Sequence, residues 1–333
     1  MKTITILVPA YNEEDVLDQL YERLTAVLDN IPNYNFEILF VNDGSKDNTL
    51  DIIKEFRLRD PRISYVDLAR NFGKETAMIA GFDHAIGDAV VIIDADLQDP
   101  PELIPEMIKY WEQGYDDVYA KRRSRAGESW AKKWTAAKFY SLLKRTTRIP
   151  IQENTGDFRL LDRRCVEALK KIRETQRYTK GMFSWIGYNK KEILFDRDPR
   201  AAGETKWNYF KLMELAIEGI TSFTTFPLRI ASYFGFTVSF FAFVYMIWII
   251  VKTLVYGESV TGYPSMMAVI LFLGGVQLIA LGIIGEYLGR VFNETKQRPL
   301  YFVDEYNGEK ATNMSNEEAP AYVVLKQEVK TGR

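Results

Sequence analysis

Acidic and amide side chains stand directly after short apolar runs of this sequence. Asp94 and Asp96, separated by a single residue, follow one such run. Asn42 and Asp43 follow an earlier one. Two carboxylates at this spacing can offer oxygen ligands to a hard divalent cation such as Mg²⁺ or Mn²⁺, whose remaining ligands would be diphosphate oxygens and water. The pair indicates chemistry on a phosphate-bearing ligand, although the same spacing also recurs by chance in turns.

The composition excludes several other kinds of chemistry. A single histidine, His84, rules out a His-rich zinc site, and no nucleophile motif stands beside it to complete a Ser-His-Asp triad. A single cysteine, Cys165, cannot form a disulfide within the chain. Neither a GxGxxG nor a GxxxxGK(S/T) motif occurs, so dinucleotide and P-loop binding are unsupported. Carboxylates must therefore supply most of the chemistry.

The first 125 residues alternate between strand-like and helical patterns. Strands are predicted at 3–8, 37–41, 63–68, 89–93 and 117–120. Helices are predicted at 14–28, 47–56, 75–85 and 103–112. This alternation predicts an α/β fold with a parallel sheet and helices on both faces. Ligands of such folds bind beyond the carboxyl ends of the strands, which is where the polar clusters stand.

Two long uncharged runs near the end of the sequence predict a membrane anchor. They contain 22 residues at 230–251 and 27 residues at 259–285. A helix needs about 20 apolar residues to cross the hydrocarbon core, and buried helices of soluble proteins seldom stay uncharged for so long. We therefore expect a transmembrane hairpin with helices at about 230–252 and 264–288.

The charges around these runs predict their orientation. The link at 253–263 contains no Lys or Arg, and Lys252 is the one basic residue at that end. Four basic residues flank the other ends: Arg229, Arg290, Lys296 and Arg298. The positive-inside rule then places both termini and the α/β half in the cytoplasm, and no signal peptide is recognised at the start. A multi-pass protein of the cell inner (plasma) membrane is expected.

The net charge of −2 conceals a local basic segment. Ten Lys or Arg and one acid lie between Lys121 and Arg148. Within it, residues 129–148 mix basic and aromatic side chains, which is typical of a helix on anionic lipid, with a solvated basic face as the alternative. A second amphipathic helix is predicted at 207–225, either at the membrane or packed on the α/β half. Nucleic acid is not expected as a partner, because the chain as a whole is acidic.

Seven motifs together resemble inverting family 2 glycosyltransferases of the GT-A fold, in the branch that acts on polyisoprenyl phosphates. They are VPAYNEE (8–14), VNDGSKDNT (41–49), RNFGKE (70–75), DADLQDPPE (94–102), TGDFRL (155–160), AGETKW (202–207) and GEYLGR (285–290). The resemblance implies a Rossmann-like, mostly parallel sheet followed by amphipathic interfacial helices and a two-helix transmembrane hairpin. It covers the chain to about residue 303, and Thr205 stands where the family often has Ser.

The resemblance also implies roles for individual residues. The metal ligands would be Asp94, Asp96 and Gln98. The nucleoside would be surrounded by Pro9, Tyr11, Glu13 and Asp43. Asp157 would be the catalytic residue on the acceptor side, where it would orient the acceptor and accept its residual proton without acting as a base with a strongly raised pKa. The basic side chains that bind the acceptor phosphate or the donor diphosphate would be Arg122, Arg123, Arg200 and Lys206.

These roles imply transfer of a sugar, with glucose favoured, from a UDP-sugar to undecaprenyl phosphate at the cytoplasmic membrane face, with Mg²⁺ or Mn²⁺ as cofactor. Other donors stay open: GDP-mannose, UDP-N-acetylglucosamine or a UDP-amino-arabinose derivative. A non-catalytic nucleotide-sugar sensor or membrane scaffold is the alternative of another class. A processive polysaccharide synthase is disfavoured, because the sequence has no QxxRW-type motif and too few apolar runs for a channel.

The predicted organisation comprises a catalytic domain at 1–206, an interfacial helix at 207–225, the hairpin at 226–290 and a cytoplasmic tail at 291–333. Two short strand-like runs in the tail, at 300–303 and 321–325, predict either disorder or a hairpin that packs on a neighbouring subunit of a homo-oligomer. A chain that ends before Ala231 is expected to fold and to bind nucleotide, but to transfer sugar poorly to long-chain lipid.

Overall fold

The computed structural model describes residues 1–123, 155–175, 177, 179–196, 226–256 and 262–311. The described residues form two compact units. One is an α/β unit, which includes the described residues up to 196 and those from Pro299 onward. The other contains the described residues between 226 and 298. The basic segment at 129–148 and the amphipathic segment at 207–225, both predicted from the sequence, lie outside the described residues.

A single mixed sheet of nine strands organises the described part of the α/β unit. In chain order its strands are β1 (Thr3–Ala10), β2 (Asn35–Asn42), β3 (Ile63–Leu68), β4 (Ala89–Ile92), β5 (Asp117–Arg122), β6 (Thr155–Asp162), β7 (Lys190–Phe195), β8 (Val303–Tyr306) and β9 (Glu309–Lys310). Across the sheet the order is β7-β5-β6-β4-β1-β2-β3-β8-β9. Strands β3, β2, β1 and β4 run parallel to one another.

Helices connect and cover these strands. They are α1 (Leu17–Leu28), α2 (Thr49–Arg59), α3 (Lys74–His84), α4 (Ile104–Glu112), α5 (Arg163–Lys171) and α6 (Thr179–Trp185). A short 3₁₀ turn at Pro101–Leu103 precedes α4. The five strands and four helices that the sequence predicts up to residue 125 are all confirmed, with small changes at their ends.

The central strand β1 is buried on both faces of the sheet. Residues 4–8 of β1 are fully buried, and successive side chains of a strand point to opposite faces, so both faces of β1 are covered. Ile6 belongs to the same core cluster as Leu20 of α1. Leu7 instead packs against α3, where a Cβ on Gly81 would come within 2.1 Å of it. The predicted helices on both faces of the sheet are confirmed.

The strand β6 was not predicted, and it changes the middle of the sheet. It lies between β4 and β5 and runs antiparallel to both. A buried ion pair ties it to β5: the Arg159 guanidinium lies 3.2 Å from the Asp117 carboxylate, and neither side chain is exposed. Because β6 runs antiparallel to β4, the start of β6 lies beside the carboxyl end of β4.

The segment after residue 298 differs from the predicted tail. Val303–Tyr306 pairs antiparallel with β3 of the same chain, and a turn at 307–308 leads into β9. Tyr301, just before this strand, is 1% exposed, and its hydroxyl donates to Asp83 over 2.8 Å. β8 thus covers a sheet edge that would otherwise present unpaired backbone groups. The other predicted run, at 321–325, lies outside the described residues.

The second unit contains two long helices, α7 (Phe226–Tyr256) and α8 (Tyr263–Thr295), which contact each other. Each includes a window that is long and apolar enough to cross a membrane. These windows are Ile230–Lys252, with a mean hydropathy of 2.2, and Phe272–Thr295, with a mean hydropathy of 1.5. Neither window is buried within the protein. This exposure separates them from the core helices of a soluble protein, whose apolar side chains are covered.

Candidate active site

The carboxyl ends of β2 and β4 and the start of β6 place the predicted acidic residues at one edge of the sheet. Ile92, the last residue of β4, pairs with Arg159 of β6. Asp94 stands two residues beyond the end of β4, and Asp157 stands two residues before Arg159 in β6. The antiparallel register therefore carries these two aspartates to the same place, from positions 63 residues apart in the sequence.

A lysine that the sequence analysis did not select joins these two aspartates. The Lys74 ammonium lies 2.6 Å from Asp94 Oδ1 and 2.7 Å from Asp157 Oδ2. It also donates to Asp94 Oδ2 over 2.8 Å. The carboxylates are mostly covered, whereas 43% of the Lys74 side chain is exposed. Burial of the ammonium lowers the pKa of Lys74, but the two aspartates outweigh this effect and raise the pKa above its usual value, so the site holds a cation between two anions.

The loop before Lys74 is fastened to Asp43. The Asp43 carboxylate accepts hydrogen bonds from the backbone N–H groups of Phe72, at 2.7 Å, and Gly73, at 2.9 Å. Asp43 is 2% exposed, and this burial raises its pKa although both hydrogen bonds oppose the shift. Gly44 allows the close approach, because a Cβ there would lie 2.5 Å from the Arg70 carbonyl carbon. Asp43 therefore fixes the loop from which Lys74 extends.

The turn after β4 presents the other predicted metal ligands. Asp96 Oδ1 accepts a hydrogen bond from the Gln98 backbone N–H over 3.2 Å. Leu97 between them adopts the left-handed region, with φ = 59°. Gln98 is 8% exposed, whereas Asp96 is only partly buried. The turn thus leaves the Asp96 carboxylate at the surface of the site.

The donor set at this edge fits a hard divalent cation. Asp94 and Asp96 offer carboxylate oxygens, and Gln98 offers an amide oxygen. Asp94 already binds one cation, the Lys74 ammonium. Within the described residues, no group of three or more His, Cys, Asp or Glu side chains forms a complete cage for a metal. Such a cation would therefore need further oxygens from its ligand and from water, which is usual for Mg²⁺.

The residues predicted to surround the nucleoside lie at the end of β1. Pro9 belongs to β1, and Tyr11 beyond it is 42% exposed. The Glu13 backbone N–H donates to Thr49 Oγ1 at the start of α2 over 2.8 Å. Asn12 adopts φ = 54°, and its side-chain oxygen accepts from the Lys46 backbone N–H over 2.8 Å. The end of β1 and the loop after β2 therefore form one wall of the site.

A second residue missed from the sequence is Glu75. Its carboxylate accepts a hydrogen bond from the Thr179 backbone N–H over 3.0 Å, which ties α3 to α6. Burial raises the pKa of Glu75 to about 7, and the nearby Asp157 charge adds to the shift. The motif RNFGKE contains both Lys74 and Glu75 and is the sequence signal for them.

The predicted cations are only partly described. Arg122 ends β5, and its guanidinium lies close to Gly156, which precedes Asp157 in β6. Arg123 is exposed and lies 3.6 Å from Asp196. Arg200 and Lys206 lie outside the described residues. The structure thus brings Arg122 near Asp157 and leaves Arg123 at the surface.

Comparison with known proteins identifies the family. Residues 5–170 match the model of glycosyl transferase family 2, and residues 226–291 match the model of the GtrB C-terminal hairpin. The uncharacterized glycosyltransferase sll0501 of Synechocystis is 52% identical over 305 residues, which are 92% of this chain and 96% of that protein. The chain belongs to glycosyltransferase family 2. The resemblance that the motifs indicated is confirmed, together with the GT-A type of fold.

Two relatives of this family 2 glycosyltransferase have more specific names. A prophage bactoprenol glucosyl transferase homolog of Escherichia coli is 46% identical over 90% of this chain and 98% of that protein. The bactoprenol glucosyl transferase of Shigella phage SfX is also 46% identical, with the same two coverages. Among solved structures, mannosyl-3-phosphoglycerate synthase from Rubrobacter xylanophilus matches with a TM-score of 0.46 and 17% identity, over 65% of this chain and 71% of that chain.

Proposed function

We propose that this glycosyltransferase moves a sugar, most favourably glucose, from a UDP-sugar to a polyisoprenyl phosphate such as undecaprenyl phosphate, with inversion at the anomeric carbon. One observation carries the proposal: the Lys74 ammonium contacts both Asp94, on the predicted donor side, and Asp157, on the predicted acceptor side. The similarity to bactoprenol glucosyl transferases along 90% of the chain supports the lipid acceptor.

On the donor side, the chain provides a wall for the nucleoside and charges for the diphosphate. Pro9, Tyr11, Glu13 and Asp43 border the nucleoside, and Asp43 also fixes the loop at 71–73. Asp94, Asp96 and Gln98 would hold Mg²⁺ or Mn²⁺. When bound, this ion neutralises charge that develops on the departing diphosphate.

On the acceptor side, the nucleophile is the oxygen of a phosphate monoester. The second pKa of such a group is about 6, so near neutral pH most of it is already ionised and needs no strong base. Asp157 orients the acceptor in this proposal, and its carboxylate is already paired with Lys74. Arg122, Arg123, Arg200 and Lys206 balance the charge of the incoming lipid phosphate.

The two long helices agree with a lipid substrate. Their apolar windows of 23 and 24 residues match the thickness of a hydrocarbon core. We propose that they anchor the enzyme in the cell membrane, with the α/β unit and both termini in the cytoplasm, where nucleotide sugars are made available. The positive-inside pattern of the flanking residues supports this orientation.

One assay tests the proposal. The full-length protein, purified in detergent or nanodiscs, is incubated with undecaprenyl phosphate and one radiolabelled donor at a time: UDP-glucose, GDP-mannose, UDP-N-acetylglucosamine or a UDP-amino-arabinose derivative. Label extracted with the lipid from UDP-glucose is the expected result. Label from another UDP-sugar would correct the sugar alone, and label from GDP-mannose would correct both the sugar and the nucleotide. Nucleotide binding without lipid labelling from any donor would favour the sensor or scaffold.

A second measurement separates orientation of the acceptor from base catalysis at Asp157. Asp157→Asn is expected to lower the rate at least about tenfold at every pH between 6 and 8, with a constant ratio to wild type. The reason is that the acceptor phosphate ionises near pH 6 without help. Initial rates with saturating donor and metal measure this ratio. A ratio that climbs about tenfold as pH rises would show that Asp157 removes a proton.

A further inference from the structure

The position of Lys74 has no explanation in the local structure of its helix. Lys74 is the first residue of α3, directly after the N-cap Gly73. A cation is unfavourable at a helix N-terminus, because the backbone N–H groups there carry partial positive charge. The ammonium is held instead by Asp94 and Asp157, at 2.6 and 2.7 Å. The active site, and not the helix, therefore holds this side chain in place.

Lys74 also occupies the oxygens that a metal at this site requires. Both carboxylate oxygens of Asp94 contact the ammonium, Oδ1 at 2.6 Å and Oδ2 at 2.8 Å. A divalent cation bound through Asp94 needs at least one of these oxygens, and its charge would repel the ammonium. The Lys74 side chain borders solvent, with 43% of it exposed. Metal binding and the present position of Lys74 therefore compete.

We propose that Lys74 is an exchangeable positioning cation that makes metal binding depend on the nucleotide diphosphate. Without donor, Lys74 neutralises Asp94 and Asp157, keeps them in position and weakens the binding of a metal on its own. When metal and nucleotide arrive together, the diphosphate offers the ammonium a new anionic partner, and Asp94 becomes free to bind the metal. This inference rests on the proposed function, because it assumes a nucleoside diphosphate and a divalent metal at this site.

The test measures Mn²⁺ affinity rather than transfer. Full-length wild type, Lys74→Gln and the surface control Lys109→Gln on α4 are titrated with Mn²⁺, with and without saturating UDP, by electron paramagnetic resonance of free Mn²⁺. Without UDP, Lys74→Gln is expected to bind Mn²⁺ about tenfold more tightly than wild type, because one positive charge is removed beside the ion. The enhancement of Mn²⁺ affinity by UDP is expected to shrink by about the same factor. Lys109→Gln should match wild type in both titrations.

Three results would overturn the inference or its basis. Unchanged or weaker Mn²⁺ binding by Lys74→Gln without UDP, in a protein with the wild-type melting temperature, would show that Lys74 does not compete with the metal. An undiminished UDP enhancement in Lys74→Gln would show that Lys74 does not couple the two ligands. In both cases the proposed function stands. If wild type binds no Mn²⁺ even with UDP, the metal-dependent donor site itself is wrong.

Discussion

Asp96→Asn is expected to lower the initial rate of sugar transfer by about 100-fold or more without unfolding the protein. Asparagine removes the negative charge that would bind the metal. It also keeps an oxygen that can accept the hydrogen bond from the Gln98 backbone N–H, which is 3.2 Å long in the wild type. The turn after β4 should therefore keep its shape. Excess EDTA is expected to abolish transfer by the wild type, and added Mg²⁺ or Mn²⁺ should restore it.

Initial rates with UDP-glucose and undecaprenyl phosphate measure this effect, and thermal melting checks the fold. Asp51→Asn is the matched control, because Asp51 is an exposed aspartate in the first turn of α2. It should stay close to the wild-type rate. Undiminished transfer in excess EDTA, or a wild-type rate for Asp96→Asn, would remove the metal from the proposed mechanism.

Truncation at Arg298 is expected to destabilise the α/β unit although both long helices are kept. The truncated chain loses Tyr301, whose side chain is fully buried, and truncation of a large buried aromatic side chain alone costs about 3–5 kcal/mol. It also leaves β3 as an uncovered edge. For the same reason, a chain that ends before Ala231 is now expected to be destabilised, in contrast to the expectation from the sequence.

The truncation should also weaken nucleotide binding. The Phe302 carbonyl accepts a hydrogen bond from the Ala69 backbone N–H over 2.9 Å, and the Phe302 ring lies 6.5 Å from that of Phe72. Phe72 belongs to the loop that Asp43 fixes. The segment after the second long helix therefore supports the loop at 71–73, which lies on the proposed donor side.

Denaturant unfolding and UDP titration of three chains test this prediction. A chain that ends at Ala311 keeps every described strand and serves as the matched control. Tyr301→Phe keeps the buried ring and removes the hydroxyl that donates to Asp83. Since Asp83 retains Arg173 at 2.7 Å, this change should cost about 1 kcal/mol. A chain ending at Arg298 that unfolds and binds UDP like the control would show that β8 is dispensable.

The sequence alone determined the strands and helices up to residue 125 and the class of chemistry. The parallel part of the sheet was predictable because β1, β2 and β4 each contain a short apolar run, and the helices between them have a charged, periodic pattern. The carboxylates and amides at the strand ends were predictable as a ligand edge, since parallel strands end on the same side. The motifs identified the family, and the comparisons confirm it.

Only the tertiary structure decided which distant residues meet. The antiparallel insertion of β6 between β4 and β5 places Asp157 opposite Asp94, and β8 pairs with β3 across more than 230 residues of sequence. Such pairings depend on long-range backbone hydrogen bonds and burial, which leave no periodic signal in either segment. The position of the Lys74 ammonium likewise follows from two carboxylates that the sheet register brings together, and for this reason the sequence pattern did not single it out.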